Sequence, residues 1–221
     1  MRSSRALYII VAVMFVSGLA ALPFMPDPAP IHWNAAGEVD GYGSPLLAVL
    51  LAPLIALAVV ILMPLMPRLD PRHENYASFA GSYKLIMSLL VLFFALIHVI
   101  VIGAALGWPI SIPRAMMLGM GVLFGLIGNE LGRVQPNYFV GIRTPWTLAD
   151  PDVWRRTHRV GGRMLAGAGL LLLLMGLFAP ERIGFFLGIG TILAASFGSV
   201  LYSYWIWQRS ARGVKQPDTR R

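Results

Sequence analysis

The chain has 221 residues and no cysteine, and 57% of its residues are hydrophobic against only 13% charged, with a formal net charge of +8. Soluble domains carry about 25% charged residues, so this composition, with a mean hydropathy of +0.70, indicates an integral membrane protein. The absence of cysteine excludes disulfides, thiolate metal sites and thiol catalysis.

Six apolar runs are long enough to cross the core of a bilayer as helices, which takes about 20 residues. No stretch shows the alternating pattern of membrane strands, so the predicted fold class is all-α, a polytopic membrane protein with about six transmembrane helices. We expect one integral membrane domain, with a two-span unit at 1–67 and a four-span region at 68–221. The approximate limits of the runs are 6–25, 45–67, 83–107, 114–132, 161–179 and 183–207.

The first run resembles a secretory signal peptide in one respect, because Arg2 and Arg5 precede it and small residues end it. Its apolar stretch is, however, longer than the roughly 7–15 residues of a signal sequence. We therefore expect an uncleaved first span.

The basic residues fall almost entirely on one side of the predicted spans. Of the 18 Lys and Arg, 16 lie at the N-terminus, in the second connection, in the fourth connection at 133–160, in the tail, or just inside a span beside these connections (Lys84 and Arg163), while Arg114 and Arg182 lie opposite. Because cytoplasmic connections are enriched in Lys and Arg, we expect both termini and the 133–160 connection to be cytoplasmic. The positive charge then reflects topology and anionic lipid, and no nucleic-acid partner is predicted.

The 133–160 connection is polar, aromatic and basic at once. Asp150 followed by Pro151 predicts a helix start, because Asp caps free N–H groups and Pro suits the first helical position. Trp154 and His158 then share one face of this helix. We expect it to lie at the membrane surface and to turn at Gly161-Gly162 into the fifth span.

Two interpretations of the 133–160 connection stay open. As a structural clamp, its Arg side chains bind lipid phosphate or helix carbonyls while Trp146 and Trp154 anchor the interface. As a functional site, Arg143, His158 and Asn137 converge on an anionic group or a partner. The segment at 141–146 is expected to be irregular under both. The candidate functional residues are Asn137, Gly141, Arg143, Thr144, Pro145, Trp146, Trp154, His158 and Arg159.

The connection at 26–45 combines prolines with Gly37, Gly41 and Gly43, which favour turns. We expect a folded hairpin whose His32 and Asp40 satisfy backbone groups and each other, with contact to a ligand as the alternative. The spacing of His32, Glu38 and Asp40 matches no established zinc pattern, so no metal is assigned. The candidate residues of this outer loop are Pro30, His32, Trp33, Asn34, Gly37 and Asp40.

His98 lies alone near the middle of the third span, and an ionisable residue at that depth is a functional candidate because burying it is costly. No acidic residue lies mid-span to form a proton relay with it. We expect a neutral imidazole bonded to Ser88, Ser111 or a backbone carbonyl. In a transporter or channel, His98 and a second span broken by Pro53 and Pro64 would be the working parts.

Small residues recur along one face of the fourth span (Gly121, Gly125, Gly128, Gly132) and of the fifth (Gly162, Ala166, Gly169). Such stripes let helices approach closely in lipid. We expect spans four to six to form the tightest part of the bundle.

The run Asn-x-x-x-Gly-Ile-Arg-Thr-Pro-Trp-Thr at 137–147, followed by Trp-x-x-Thr-His-Arg at 154–159, resembles the signature of the SdpI family. These are bacterial multispanning membrane proteins named for an immunity protein against a secreted peptide toxin. The pattern Pro-x-His-Trp-Asn-x-x-Gly-x-x-Asp-Gly at 30–41 resembles a domain of unknown function that often precedes the SdpI region. Family members often carry a basic residue near position 130, where this chain has Glu130.

The resemblance implies an immunity or signalling protein of the bacterial cytoplasmic (inner) membrane. Its partners would be membrane lipid, a peptide toxin or envelope-stress agent outside, and a cytoplasmic regulator inside. No catalytic triad, HExxH or Walker loop is present, so no enzyme activity or cofactor is predicted. The sequence does not predict an oligomeric state. The alternatives are a small transporter or channel and, less favoured, an intramembrane enzyme that acts on lipid headgroups through His158 and Arg143.

Overall fold

The computed structural model describes residues 2–213, which form a bundle of membrane-length helices. Six helices in this part of the chain are long and apolar enough to cross a membrane, which confirms a polytopic helical membrane protein. Lys215, Arg220 and Arg221, counted above for topology, lie outside the described residues. The helices are α1 Arg2–Ala21, α2 Pro45–Leu62, α3 Met66–Leu69, α4 Ala80–Ala105, α5 Ile112–Leu131, α6 Pro145–Ala149, α7 Pro151–Phe178 and α8 Glu181–Gly213.

The second span is not broken in mid-membrane. Helix α2 runs continuously through Pro53 and ends at Leu62, just before Pro64, which has no N–H to continue the helical hydrogen bonds. The short helix α3 follows on the bundle surface. This corrects the sequence expectation of a broken second span, one of the two features that a transporter hypothesis used.

The fifth span begins at Pro151, well before the predicted limit of 161, and α7 is continuous through Gly161-Gly162. The helix predicted from about Pro151, with Trp154 and His158 on one face, is present, but the predicted turn at these glycines is absent. The glycines serve packing instead, because a Cβ at Gly161 would lie 2.9 Å from Ser199 Oγ and one at Gly162 would lie 2.6 Å from the carbonyl oxygen of Gly128. Side chains at these positions would push the neighbouring helices away.

Helices α5, α7 and α8 make the most extensive contacts of the bundle. At the α5–α7 crossing, a Cβ at Gly128 would lie 2.7 Å from the carbonyl oxygen of Gly162, and one at Gly169 would lie 2.7 Å from that of Gly121. The two backbones thus touch, as the stripes of small residues predicted. This close crossing fixes where α7 enters the polar end of the bundle.

The connections lie on two opposite faces of the bundle. On the first, which we term the loop face, the segments 63–72 and 132–150 meet each other and the last turns of α8. The second, the hairpin face, carries the antiparallel strands β1 Ala29–Trp33 and β2 Val39–Gly43. There Arg114 at the start of α5 lies 3.7 Å from the Glu181 carboxylate at the start of α8. That the loop face is cytoplasmic stays a prediction.

Candidate functional site

Asn137 organises the start of the long connection on the loop face. Its side chain is fully buried, and its Oδ1 accepts the N–H groups of Phe139 at 2.9 Å and Val140 at 2.7 Å. Its Nδ2 donates to the carbonyls of Gln135 and Val140, both at 2.9 Å. A side-chain amide that bonds its own neighbours fixes a tight local turn, so Asn137 holds backbone and leaves little to offer a ligand.

Asp70 ties this turn to the second connection, and sequence reasoning missed it. It is only 2% exposed and accepts the N–H of Tyr138, the N–H of Arg72 and the hydroxyl of Tyr76, each at 2.8 Å. Burial raises the pKa of the Asp70 carboxyl, but these hydrogen bonds and the Arg72 charge outweigh it and hold the pKa below its ordinary value. A signal was available in the Asp70-Pro71 step, which follows the second apolar run after only two residues.

Two arginines on the loop face hold backbone carbonyls. Arg72 donates to the carbonyl of Leu148 at 2.7 Å, and its guanidinium lies over the ring of Tyr138 at 5.1 Å from the centroid. Arg143, whose side chain is exposed, donates to the carbonyl of Tyr138 at 2.5 Å. Arg72 thus binds a carbonyl near the end of α6, the kind of contact that the clamp interpretation predicts, but it belongs to the second connection, and the carbonyl that Arg143 binds lies outside any helix.

Trp154 and His158 form a buried stack at the start of α7. Their ring centroids are 3.9 Å apart with an interplanar angle of 18°, and the two side chains are 1% and 0% exposed. Trp154 donates its indole N–H to the carbonyl of Val134 at 2.8 Å. The expectation that Trp154 lies in the membrane interface is therefore wrong, because the connection covers it completely.

Both nitrogens of His158 are used inside the protein. Nε2 lies 2.9 Å from the backbone N of Ile142, so it accepts that N–H. Nδ1 lies 2.9 Å from the carbonyl oxygen of Trp154, so it carries the proton and donates. Gly141 packs against the same imidazole with φ of +124°, a conformation that favours glycine. The imidazole thus joins the connection to α7.

The segment expected to be irregular up to residue 146 contains a short helix, since α6 begins at Pro145. Thr144 caps it through a reciprocal pair, in which Thr144 Oγ1 accepts the N–H of Thr147 at 3.2 Å and Thr147 Oγ1 accepts that of Thr144 at 2.8 Å. Trp146 is half-buried, donates to Ser203 Oγ on α8 at 2.6 Å and stacks on Trp207. The sequence contained a signal for this helix, since the Thr144-Pro145 step is a good helix start.

The three side chains proposed to converge on an anionic group do not share an opening. Asn137 and His158 are fully buried with their polar atoms bonded to backbone, whereas Arg143 lies exposed beside a cavity of about 230 Å³ formed by α5, α7 and α8. Arg159 is exposed on α7. The geometry therefore resembles a clamp for the long connection.

On the hairpin face the expected hairpin is present. Asn34 forms its turn by accepting the N–H groups of Ala36 at 2.9 Å and Glu38 at 3.0 Å, and Gly37 adopts a φ of +81°. His32 Nδ1 and Asp40 Oδ1 are 2.5 Å apart, with side chains 71% and 44% exposed. Pro30 is buried in β1, and Trp33 at its end is half-buried. Among residues 2–213, no cluster of three or more His, Asp or Glu is arranged to hold a metal.

His98 is 3% exposed, but its partner is neither Ser88 nor Ser111. Its Nε2 lies 3.1 Å from Ser17 Oγ on α1, and this hydroxyl itself donates to the carbonyl of Met14. Nε2 is therefore the donor, and Nδ1 has no hydrogen-bond partner within the described part of the chain. The imidazole joins α1 to α4 beside an apolar groove of about 220 Å³.

Comparison with known proteins gives a consistent result. Residues 133–203 match the SdpI/YfhL protein family, and residues 9–57 match a domain of unknown function, DUF1648. The resemblance to the SdpI family is confirmed. The chain is also 24% identical to the immunity protein SdpI of Bacillus subtilis (strain 168) over 201 residues, which cover 91% of this chain and 94% of that protein. No solved structure matches the chain.

The two matched regions contain most of the two polar assemblies of the structure. The SdpI/YfhL region contains the Asn137 turn, the Trp154–His158 stack, the rest of α7 and most of α8, while the DUF1648 region contains most of α1, the hairpin and most of α2. Asp70 and Arg72 lie outside both regions. The chain is thus a multi-pass membrane protein that is similar to an immunity protein along most of its length, with one polar assembly on each face.

Proposed function

We propose that this protein confers immunity to a secreted peptide toxin from within the bacterial cytoplasmic membrane. The observation that carries the proposal is the similarity to an immunity protein along 91% of the chain, which includes both polar assemblies. In this proposal the hairpin face is external and meets the toxin, and the loop face is cytoplasmic.

The hairpin is the surface best suited to a peptide. His32 and Asp40 form an exposed polar pair, and Tyr42 on β2 is 60% exposed. Trp108, on the neighbouring α4–α5 connection, is 54% exposed. Exposed aromatic side chains beside a polar pair are typical of protein recognition surfaces. The hairpin is held rigid by the Asn34 turn and rests against Pro113 at the start of α5, so it offers a preformed contact.

The loop face supports a structural role within this function. The polar atoms of Asn137, Asp70 and His158 are hydrogen-bonded inside the protein, mostly to backbone groups. This argues against the alternative of a lipid-headgroup enzyme that uses His158 as its acid or base. Relay to a cytoplasmic regulator is the second part of the proposal. Helix α7 runs unbroken between the two faces, so displacement at one end would reach the connection that packs on the other.

The test is survival of a toxin-sensitive bacterium that expresses the chain, challenged with a panel of purified secreted peptide toxins and normalised to membrane protein level. We expect protection against at least one toxin. The double substitution His32→Ala with Tyr42→Ala should lower survival at least tenfold, since it removes the exposed contact surface and no buried group. The exposed Asp27→Asn in the same connection is the control and should leave survival unchanged. Normal protein levels without protection against any toxin would contradict the proposal.

A further inference from the structure

A cavity of about 210 Å³ lies between the loop-face ends of α5 and α7. Its floor is formed by the small residues Gly128, Gly132 and Gly162, and its rim by Asn129, Arg159 and Arg163. Because the glycines bring the two backbones into contact, no side chain fills the space above the crossing. A water takes up about 30 Å³, so the cavity admits a group of several heavy atoms.

The cavity carries positive charge that the protein does not neutralise. Arg159 and Arg163 are exposed and lie one turn apart on α7, and within residues 2–213 neither has an acidic partner within 4 Å. The nearby Glu130 carboxylate accepts from Ser82 Oγ on α4 at 2.6 Å and pairs with Arg133, and it also accepts a long bond of 3.5 Å from the Asn129 amide. Two arginines without an acidic partner among the described residues thus line the cavity.

The depth of the cavity matches the headgroup region of a bilayer. Helix α7 reaches the hairpin face at Phe178, and a hydrocarbon core of about 30 Å takes roughly 20 residues of helix. Counting back from Phe178 places Arg159 at the core boundary and Arg163 one turn inside it. A long Arg side chain at that depth extends towards the boundary, so both guanidinium groups meet at the level of lipid phosphates.

An exposed apolar stripe continues from the cavity into the core. Leu126 and Val122 follow Asn129 along one face of α5, and Leu170 follows Arg163 along one face of α7. These three side chains are 43%, 48% and 57% exposed. A ligand with an anionic head in the cavity would lay an acyl chain along this stripe, which free phosphate would not use.

We propose that this cavity binds the phosphate of an anionic phospholipid. The planar guanidinium groups of Arg159 and Arg163 match phosphate oxygens with paired hydrogen bonds, and the Asn129 amide lies on the same rim. Lipid bound here would cover the cavity above the α5–α7 crossing and hold these two helices together. This site is independent of toxin recognition on the hairpin face.

The experiment uses the purified full-length protein in detergent, titrated with phosphatidylglycerol, phosphatidylcholine or inorganic phosphate, with bound lipid counted by native mass spectrometry. We expect phosphatidylglycerol to bind, with no displacement by inorganic phosphate at the same concentration. The double substitution Arg159→Gln with Arg163→Gln should weaken binding on the order of thirtyfold, from the contribution of each Arg to holding anionic lipid. The control, Arg155→Gln with Arg156→Gln, removes the same charge from the same helix, but from residues that pair with Asp152, and should stay within about twofold.

Equal losses in the two double variants would overturn the proposal, because they would show general attraction to a basic surface. Displacement by inorganic phosphate, or equal binding of phosphatidylcholine, would overturn the assignment to an anionic lipid. If the Gln pair does not fold, Arg163→Gln alone should weaken binding about fivefold, and unchanged binding in this variant would refute the site. Arg159→Lys with Arg163→Lys should lose less than the Gln pair, since it keeps the charges.

Discussion

His158→Ala should destabilise the loop face, because this imidazole is the buried link between the long connection and α7. The substitution removes the acceptor of the Ile142 N–H, the ring that stacks on Trp154 at 3.9 Å, and the neighbour of Gly141. An N–H left buried without a partner costs about 1–3 kcal/mol, and an aromatic stack contributes about 0.5–1.5 kcal/mol. We therefore expect a loss of about 2–4 kcal/mol in the free energy of unfolding.

The assay is the thermal midpoint of the full-length protein in detergent. The midpoint is the temperature at which half of the protein is lost from its size-exclusion peak after heating. For a chain of this length, such a loss lowers the midpoint by roughly 5–15 °C. The matched variant is His158→Gln, whose side-chain carbonyl can reach the position of Nε2 and accept the Ile142 N–H. It should recover part of the loss but not the stack, so its midpoint should fall between those of wild type and His158→Ala.

Protection against toxin decides whether the imidazole does more than hold backbone. If the clamp reasoning is right, His158→Ala lowers survival only in proportion to the protein lost from the membrane, and Arg143→Lys has little effect, because Lys can still donate to the Tyr138 carbonyl. A His158→Ala protein with an unchanged midpoint and normal level but no protection would refute the reasoning and favour a functional site at this connection.

Three further predictions follow from the same geometry. Gly128→Ala should destabilise the protein by about 1–3 kcal/mol because its methyl group would overpack against Gly162, and a lower thermal midpoint would show this. Gly125→Ala on the same helix is the control and should leave the midpoint unchanged, since nothing lies within 4 Å of a Cβ at that position. The pKa of Asp70 is lower in the folded than in the unfolded chain. Its stabilising contribution is therefore complete above the unfolded pKa and is lost as the pH falls through the folded pKa. Between about pH 6 and pH 3 the thermal midpoint of Asp70→Asn should fall less steeply than that of wild type, and identical slopes would contradict this. Reporter fusions should place Gly37 outside and the C-terminus inside, and an external C-terminus would reverse the predicted topology.

The sequence by itself determined the architecture, for reasons that act locally. The length and polarity of each apolar run depend on the bilayer, which has one thickness for every span, so six spans were predicted without knowledge of their neighbours. The hairpin at 26–45 and the helix start at Asp150-Pro151 also depend on nearby residues, and both are present in the structure. The motifs at 137–147 and 30–41 led to the resemblance that the matches at residues 133–203 and 9–57 confirm.

What only the tertiary structure decided is which groups meet across long stretches of chain. Asp70 and Tyr138 are 68 residues apart, Ser17 and His98 are 81 apart, and no periodic pattern relates them. The sequence therefore suggested partners for His98 that the structure does not use, and it gave no role to Asp70. Gly161-Gly162 was read as a turn because a glycine pair favours turns in isolation, but against α5 and α8 the same lack of side chains permits close helix packing. Helical periodicity defines the face that a residue occupies, whereas the helix packed against that face depends on the whole bundle.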